Sequence, residues 1–125
     1  MVQYRTEIKR VKGLGTAKHG FSHWWMQRLS AVLMVPLGIW FVVSLFNLDN
    51  LHPDTLILWL YNPIQAVLMA LWMITVVYHA ALGLQVIIED YVHDKRVAMV
   101  LLVLIKFAMF AMIVISFFSL TKLIS

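Results

Sequence analysis

A chain of 125 residues that is 62% hydrophobic and only 13% charged, with a mean hydropathy of +0.86, carries more apolar surface than a soluble domain of this size can hide. The absence of cysteine excludes a disulfide framework, and it excludes thiolate ligands from this chain for zinc or an iron–sulfur cluster. The formal net charge of +4 does not point to nucleic acid, because the basic residues cluster beside apolar runs.

A bilayer-spanning helix needs roughly 20 apolar residues. Three runs meet that requirement: Leu29–Leu48, Ile64–Ile88 and Val97–Leu120. They nearly exhaust the chain, so the expected fold is an all-α membrane protein of three transmembrane helices. No soluble domain is left for substrate chemistry, and any catalytic partner is a separate polypeptide.

Residues 1–21 read as a basic, glycine-containing tail, and residues 22–125 as the three-helix anchor, with spans at about 22–48, 63–90 and 96–122. The tail does not resemble a cleaved signal peptide: it is polar and basic, and the first apolar run is long enough to span. Ser22 is a plausible N-cap for the first span. Trp24, Trp25 and Arg28 form an interfacial anchor, and Pro36 falls inside the span and predicts a bend.

Between Asn47 and Pro63 the dipeptides His52-Pro53 and Asn62-Pro63 mark turns, and Leu56–Tyr61 reads as a short interfacial helix. That loop has no Lys or Arg, whereas Arg5, Lys9, Arg10, Lys12, Lys18 and Arg28 precede the first span and Lys95-Arg96 lie between the second and third. The positive-inside rule then places the N-terminus and the Asp90–Arg96 loop on the cytoplasmic or matrix side.

Lys106 lies roughly 15 Å along the third span from Arg96. It is either a snorkelling side chain, the commoner case, or an intramembrane functional group.

The second span carries the chemistry. His79 stands near its middle, where hydrocarbon offers an imidazole no partner. Trp72, Thr75, His79, Gly83, Val86 and Asp90 share one stripe at helical spacing. Gly83 removes bulk one turn from His79, leaving room for a flat cofactor or a close-packed helix. A proton wire needs several aligned ionisable groups, and a zinc or copper site needs three or four ligands. A haem iron needs one or two axial side chains and an apolar cavity, so haem suits a lone deep histidine better. His19, His23, His52 and His93 do not share its depth, so a second axial ligand has to come from another subunit. The plain alternative is a histidine hydrogen-bonded between helices.

Asp90 lies about three turns, roughly 16 Å, beyond His79, with Tyr91 next to it. A phenol there can donate to a quinone carbonyl while a carboxylate orients it. The plain alternative is an aromatic belt residue beside a helix-end charge.

These features together resemble the smaller hydrophobic membrane-anchor subunit of succinate dehydrogenase, respiratory complex II. The matching residues are His79-Ala80-Ala81-Leu82-Gly83, then Asp90-Tyr91, with Arg28 in Gln27-Arg28-Leu29-Ser30-Ala31 opening the first span. Length, three spans and an inside N-terminus also agree.

The resemblance implies a second three-helix cytochrome b subunit, with an iron–sulfur subunit and a flavoprotein docked on the cytoplasmic or matrix face. It implies haem b shared with the second subunit, with His79 as one axial ligand, and ubiquinone bound at Tyr91 with Asp90 adjacent. Arg28 would lie near the haem propionates and the quinone pocket, with His23 as a second propionate contact although its spacing to Arg28 departs from the family pattern. The implied location is the bacterial inner membrane rather than the mitochondrial one. A fumarate reductase anchor and a non-redox membrane scaffold or small transporter subunit are the rival readings.

Overall fold

A computed structural model describes residues 17–125 as four helices: α1 (Ala17–Phe46), α2 (Pro53–Leu60), α3 (Pro63–Tyr91) and α4 (Lys95–Ile124). No strand occurs among the described residues. Helices α1, α3 and α4 are each long and apolar enough to cross a membrane. The basic residues before Ala17, with most of the expected tail, lie outside the described residues.

Helix α1 begins at Ala17, more than a turn ahead of Ser22. Ser22 is therefore an interior residue and not the N-cap. Ala17–Phe21 contains no proline, so nothing in that segment interrupts the helix ahead of Ser22. It continues through Pro36 without a break.

After Phe46 the chain closes a tight turn, in which Asn47 N–H donates to the Val43 carbonyl at 3.1 Å and Leu48 N–H to the Leu45 carbonyl at 3.3 Å. The Asn50 side-chain oxygen accepts from His52 N–H (3.1 Å) and from the Thr55 hydroxyl (2.6 Å). His52 occupies the N-cap position of α2 without a side-chain capping bond, and Pro53 opens the helix, where a missing N–H leaves no helical bond unmade. The short helix expected at Leu56–Tyr61 is thus present and starts three residues earlier.

Asn62 caps α3 by accepting from Ile64 N–H at 3.0 Å. Asp94 caps α4 by accepting from Arg96 N–H at 2.8 Å and Val97 N–H at 3.4 Å. Both caps satisfy backbone donors that an apolar helix start cannot satisfy itself.

The spanning helices stand in a row. Helix α3 occupies the middle, α1 and α4 pack on it from either side, and α1 and α4 do not meet. Helix α2 covers one end of the α3–α4 pair. On the α1–α3 seam the Phe41 and Trp72 rings stack at 6.0 Å and 24°. Trp40 of α1 stacks on Trp59 of α2 at 5.8 Å and 22°. Among the described residues only Leu60, Leu82 and Ser30 are buried. The remaining apolar surface faces lipid or other chains, as expected where lipid removes the hydrophobic drive for helices to pack.

Candidate functional site: the His79 seam

His79 sits beyond the midpoint of α3 on the flank that meets α1. Its Nδ1 lies 2.9 Å from the hydroxyl of Ser30. That hydroxyl also donates to the Gln27 carbonyl, at 2.9 Å, one turn back along α1. Ser30 is 5% exposed, so water does not compete for either contact. The ring is therefore held between helices, as the plain reading of this histidine expected, but through one nitrogen only. Nε2 forms no hydrogen bond with a described residue, and His79 as a whole is only half-buried. One ring nitrogen is engaged by the neighbouring helix and the other is not.

Gly83 follows one turn later. A Cβ placed on it would meet nothing within 4 Å. The space beside His79 is thus not filled by a close-packed helix of this chain. The glycine that does bring two helices together is Gly38, where a Cβ would stand 3.1 Å from Trp72 Cη2.

His23, Gln27 and Ser30 share one face of α1 at helical spacing. His23 is half-buried, and its Nε2 is shielded from solvent with no hydrogen-bond partner. A buried, unpaired ring nitrogen is costly, and it lies on the flank of α1 that carries the His79 contact.

The other expected site residues are not gathered here. Arg28 is exposed, about 200° around α1 from Ser30. Its guanidinium lies over the Trp24 ring, 5.6 Å from the centroid, as a cation–π contact one turn apart on the exposed face of α1. Asp90 and Tyr91 are exposed at the end of α3, and Tyr91 is 77% exposed. The backbone carbonyl of Tyr91 lies 3.2 Å from His93 Nδ1. Lys106 is exposed on the outer side of α4, in a shallow groove it shares with Lys95.

No group of three or more His, Cys, Asp or Glu side chains converges among the described residues. What this chain offers a metal at His79 is a single imidazole nitrogen in an apolar setting. Ser30 is the site residue that periodicity does not reveal: its hydrogen bond to His79 joins positions 49 apart in sequence.

Residues 2–115 match the family model of the succinate dehydrogenase/fumarate reductase transmembrane subunit. The chain is 37% identical over 105 residues to the succinate dehydrogenase hydrophobic membrane anchor subunit of Rickettsia bellii, covering 82% of each chain. It is 34% identical over 103 residues to the succinate dehydrogenase membrane anchor subunit of Porphyra purpurea, covering 82% of this chain and 83% of the other. To the hydrophobic membrane anchor subunit of Paracoccus denitrificans it is 28% identical over 112 residues, covering 88% and 87%. No solved structure matches it. A match across nearly the whole of a chain with three spanning helices establishes that the protein belongs to the family of succinate dehydrogenase/fumarate reductase transmembrane subunits.

Proposed function

We propose that this chain is the hydrophobic membrane anchor of a succinate:quinone oxidoreductase, with His79 as one axial ligand of a haem b shared with a second three-helix subunit. The observation that carries the reading is the half-engaged ring: Nδ1 is bonded to Ser30 and Nε2 is free. Metal-bound histidines characteristically give their second ring nitrogen to such a partner. The open space over Gly83 suits a flat macrocycle, and the unpaired His23 Nε2 suits a propionate carboxylate. When bound, the haem supplies a one-electron redox centre.

The chain's own residues do the rest. His79, held at Nδ1 by Ser30, presents Nε2 from a fixed direction. Tyr91, at the cytoplasmic end of α3, donates its phenol O–H to a ubiquinone carbonyl, and Asp90 orients that phenol or passes a proton. Arg28 lends positive charge near the same end of the membrane. Electrons reach the quinone from a flavoprotein and an iron–sulfur subunit docked on that face. The basic residues 1–21 lie on the cytoplasmic side, residues 22–125 form the anchor, and the complex resides in the bacterial inner membrane.

The test is to purify the complex in mild detergent and record its reduced-minus-oxidised spectrum. A b-type haem is expected in the native complex, and His79→Ala should weaken or remove its Soret band. An unchanged bis-histidine spectrum in that variant refutes the ligand assignment.

A fumarate reductase anchor is the second reading, favoured by the breadth of the family, which spans both enzymes. Quinol–fumarate turnover faster than succinate–quinone turnover in the same preparation selects it. A non-redox scaffold yields neither haem nor a co-purifying flavoprotein.

A further inference from the structure

An imidazole binds a metal only through the nitrogen that carries no proton, so the choice of tautomer decides whether His79 can serve as a ligand. Ser30 Oγ lies between two neighbours, 2.9 Å from the Gln27 carbonyl oxygen and 2.9 Å from His79 Nδ1. A hydroxyl has one proton to give, and a carbonyl oxygen can only accept. The Gln27 contact therefore takes the Ser30 proton, and Ser30 turns a lone pair toward the ring. Nδ1 must then donate, and the ring's lone pair resides on Nε2.

The reverse arrangement, with Ser30 donating to Nδ1, faces two oxygen lone pairs across 2.9 Å at Gln27. It also places a proton on Nε2, where no described residue accepts it. At 5% exposure Ser30 has no solvent to rescue that arrangement, and an unmade hydrogen bond in such surroundings is costly. A serine bonded back to a carbonyl one turn earlier is common in helices. What is not explained by that habit is a ring nitrogen from another helix on the same oxygen.

We infer that Ser30, with the Gln27 carbonyl behind it, is a positioning residue that selects the Nδ1–H tautomer of His79 and aims Nε2 at the haem iron. The inference rests on the haem reading proposed above.

The test compares the native complex with Ser30→Ala, Ser30→Thr and Ser30→Cys, each purified with its partner subunits. The readouts are haem retention, the haem midpoint potential and the low-spin ferric EPR signal. Ser30→Ala removes the acceptor from Nδ1–H, so the ring becomes a weaker donor to ferric iron. Its haem potential should rise, its EPR signal should shift, and haem affinity should fall by about 10- to 100-fold, as for other partners of metal-bound histidines. Ser30→Thr keeps the hydroxyl and should restore native values.

Ser30→Cys keeps the volume with a weaker acceptor, and should move the potential in the same direction by less. It also keeps the inference open to refutation should the alanine variant fail to assemble. Native potential, EPR signal and haem retention in assembled Ser30→Ala or Ser30→Cys complexes overturn the inference, even if assembly yield falls. A native complex without haem overturns the reading beneath it, and that outcome is visible before any variant is made.

Discussion

Gly38 and Trp72 set the spacing of the α1–α3 seam: the indole lies where a Cβ on Gly38 would be 3.1 Å from Cη2 and 3.4 Å from Cζ3. The indole is also stacked on Phe41, so it has little freedom to withdraw. Two turns nearer the start of α1, the same seam carries the Ser30–His79 contact. Gly38→Leu should force the helices apart and destabilise the subunit by about 1–3 kcal/mol, the usual cost of overpacking. Gly38→Ala should cost less, because its better helix propensity, up to about 1 kcal/mol, offsets the tighter contact. Thermal unfolding of the detergent-solubilised complex measures both, and a wild-type melting temperature for Gly38→Leu would show that the contact does not set the spacing.

Gly83 makes the opposite prediction. Its neighbourhood is open within this chain, so on the haem reading proposed above Gly83→Leu should leave membrane insertion of the subunit intact while reducing haem content. Membrane fractionation measures the first and the Soret band the second. Full haem occupancy in the leucine variant would mean that nothing is seated over this position.

Tyr91→Phe keeps the ring and deletes the phenol. In the role proposed for Tyr91, losing one hydrogen bond to the quinone, about 1.4 kcal/mol, should lower quinone reduction by about tenfold. Succinate oxidation by an artificial dye, which bypasses the membrane site, should be unaffected. Equal loss in the two assays would make Tyr91 a structural residue.

Asp94→Ala removes the acceptor for Arg96 and Val97 N–H at the start of α4. A cost of about 1 kcal/mol is expected, read as a lower melting temperature with an unchanged haem spectrum. A spectral change would instead couple the α3–α4 loop to the haem.

The three spans are legible in the sequence because membrane helices announce themselves by composition, whatever their packing. His79 is legible for a related reason, since an ionisable group in an apolar run stands out against its neighbours. Ser30 does not stand out: a serine in an apolar helix satisfies its own hydroxyl on a carbonyl one turn back, and only the fold shows that a second helix shares it. Gly38 is equally silent, because a glycine in a spanning helix is ordinary until the residue opposite it proves to be a tryptophan. The sequence points to Ser22 as the start of α1 because a capping residue is a local signal, whereas the helix itself starts at Ala17. Arg28 is legible as a charge opening an apolar run, but its stacking on Trp24, away from the seam, appears only in the fold.

The single row of α1, α3 and α4 has a consequence for the life of the subunit. A slab three helices wide has two broad sides and almost no interior, and an unassembled copy is held together by one seam on each flank of α3 and by the short α2 across one end. Such a copy should be readily unzipped by membrane proteolysis. The steady-state level of this subunit should then follow the supply of its partner subunits in the complex.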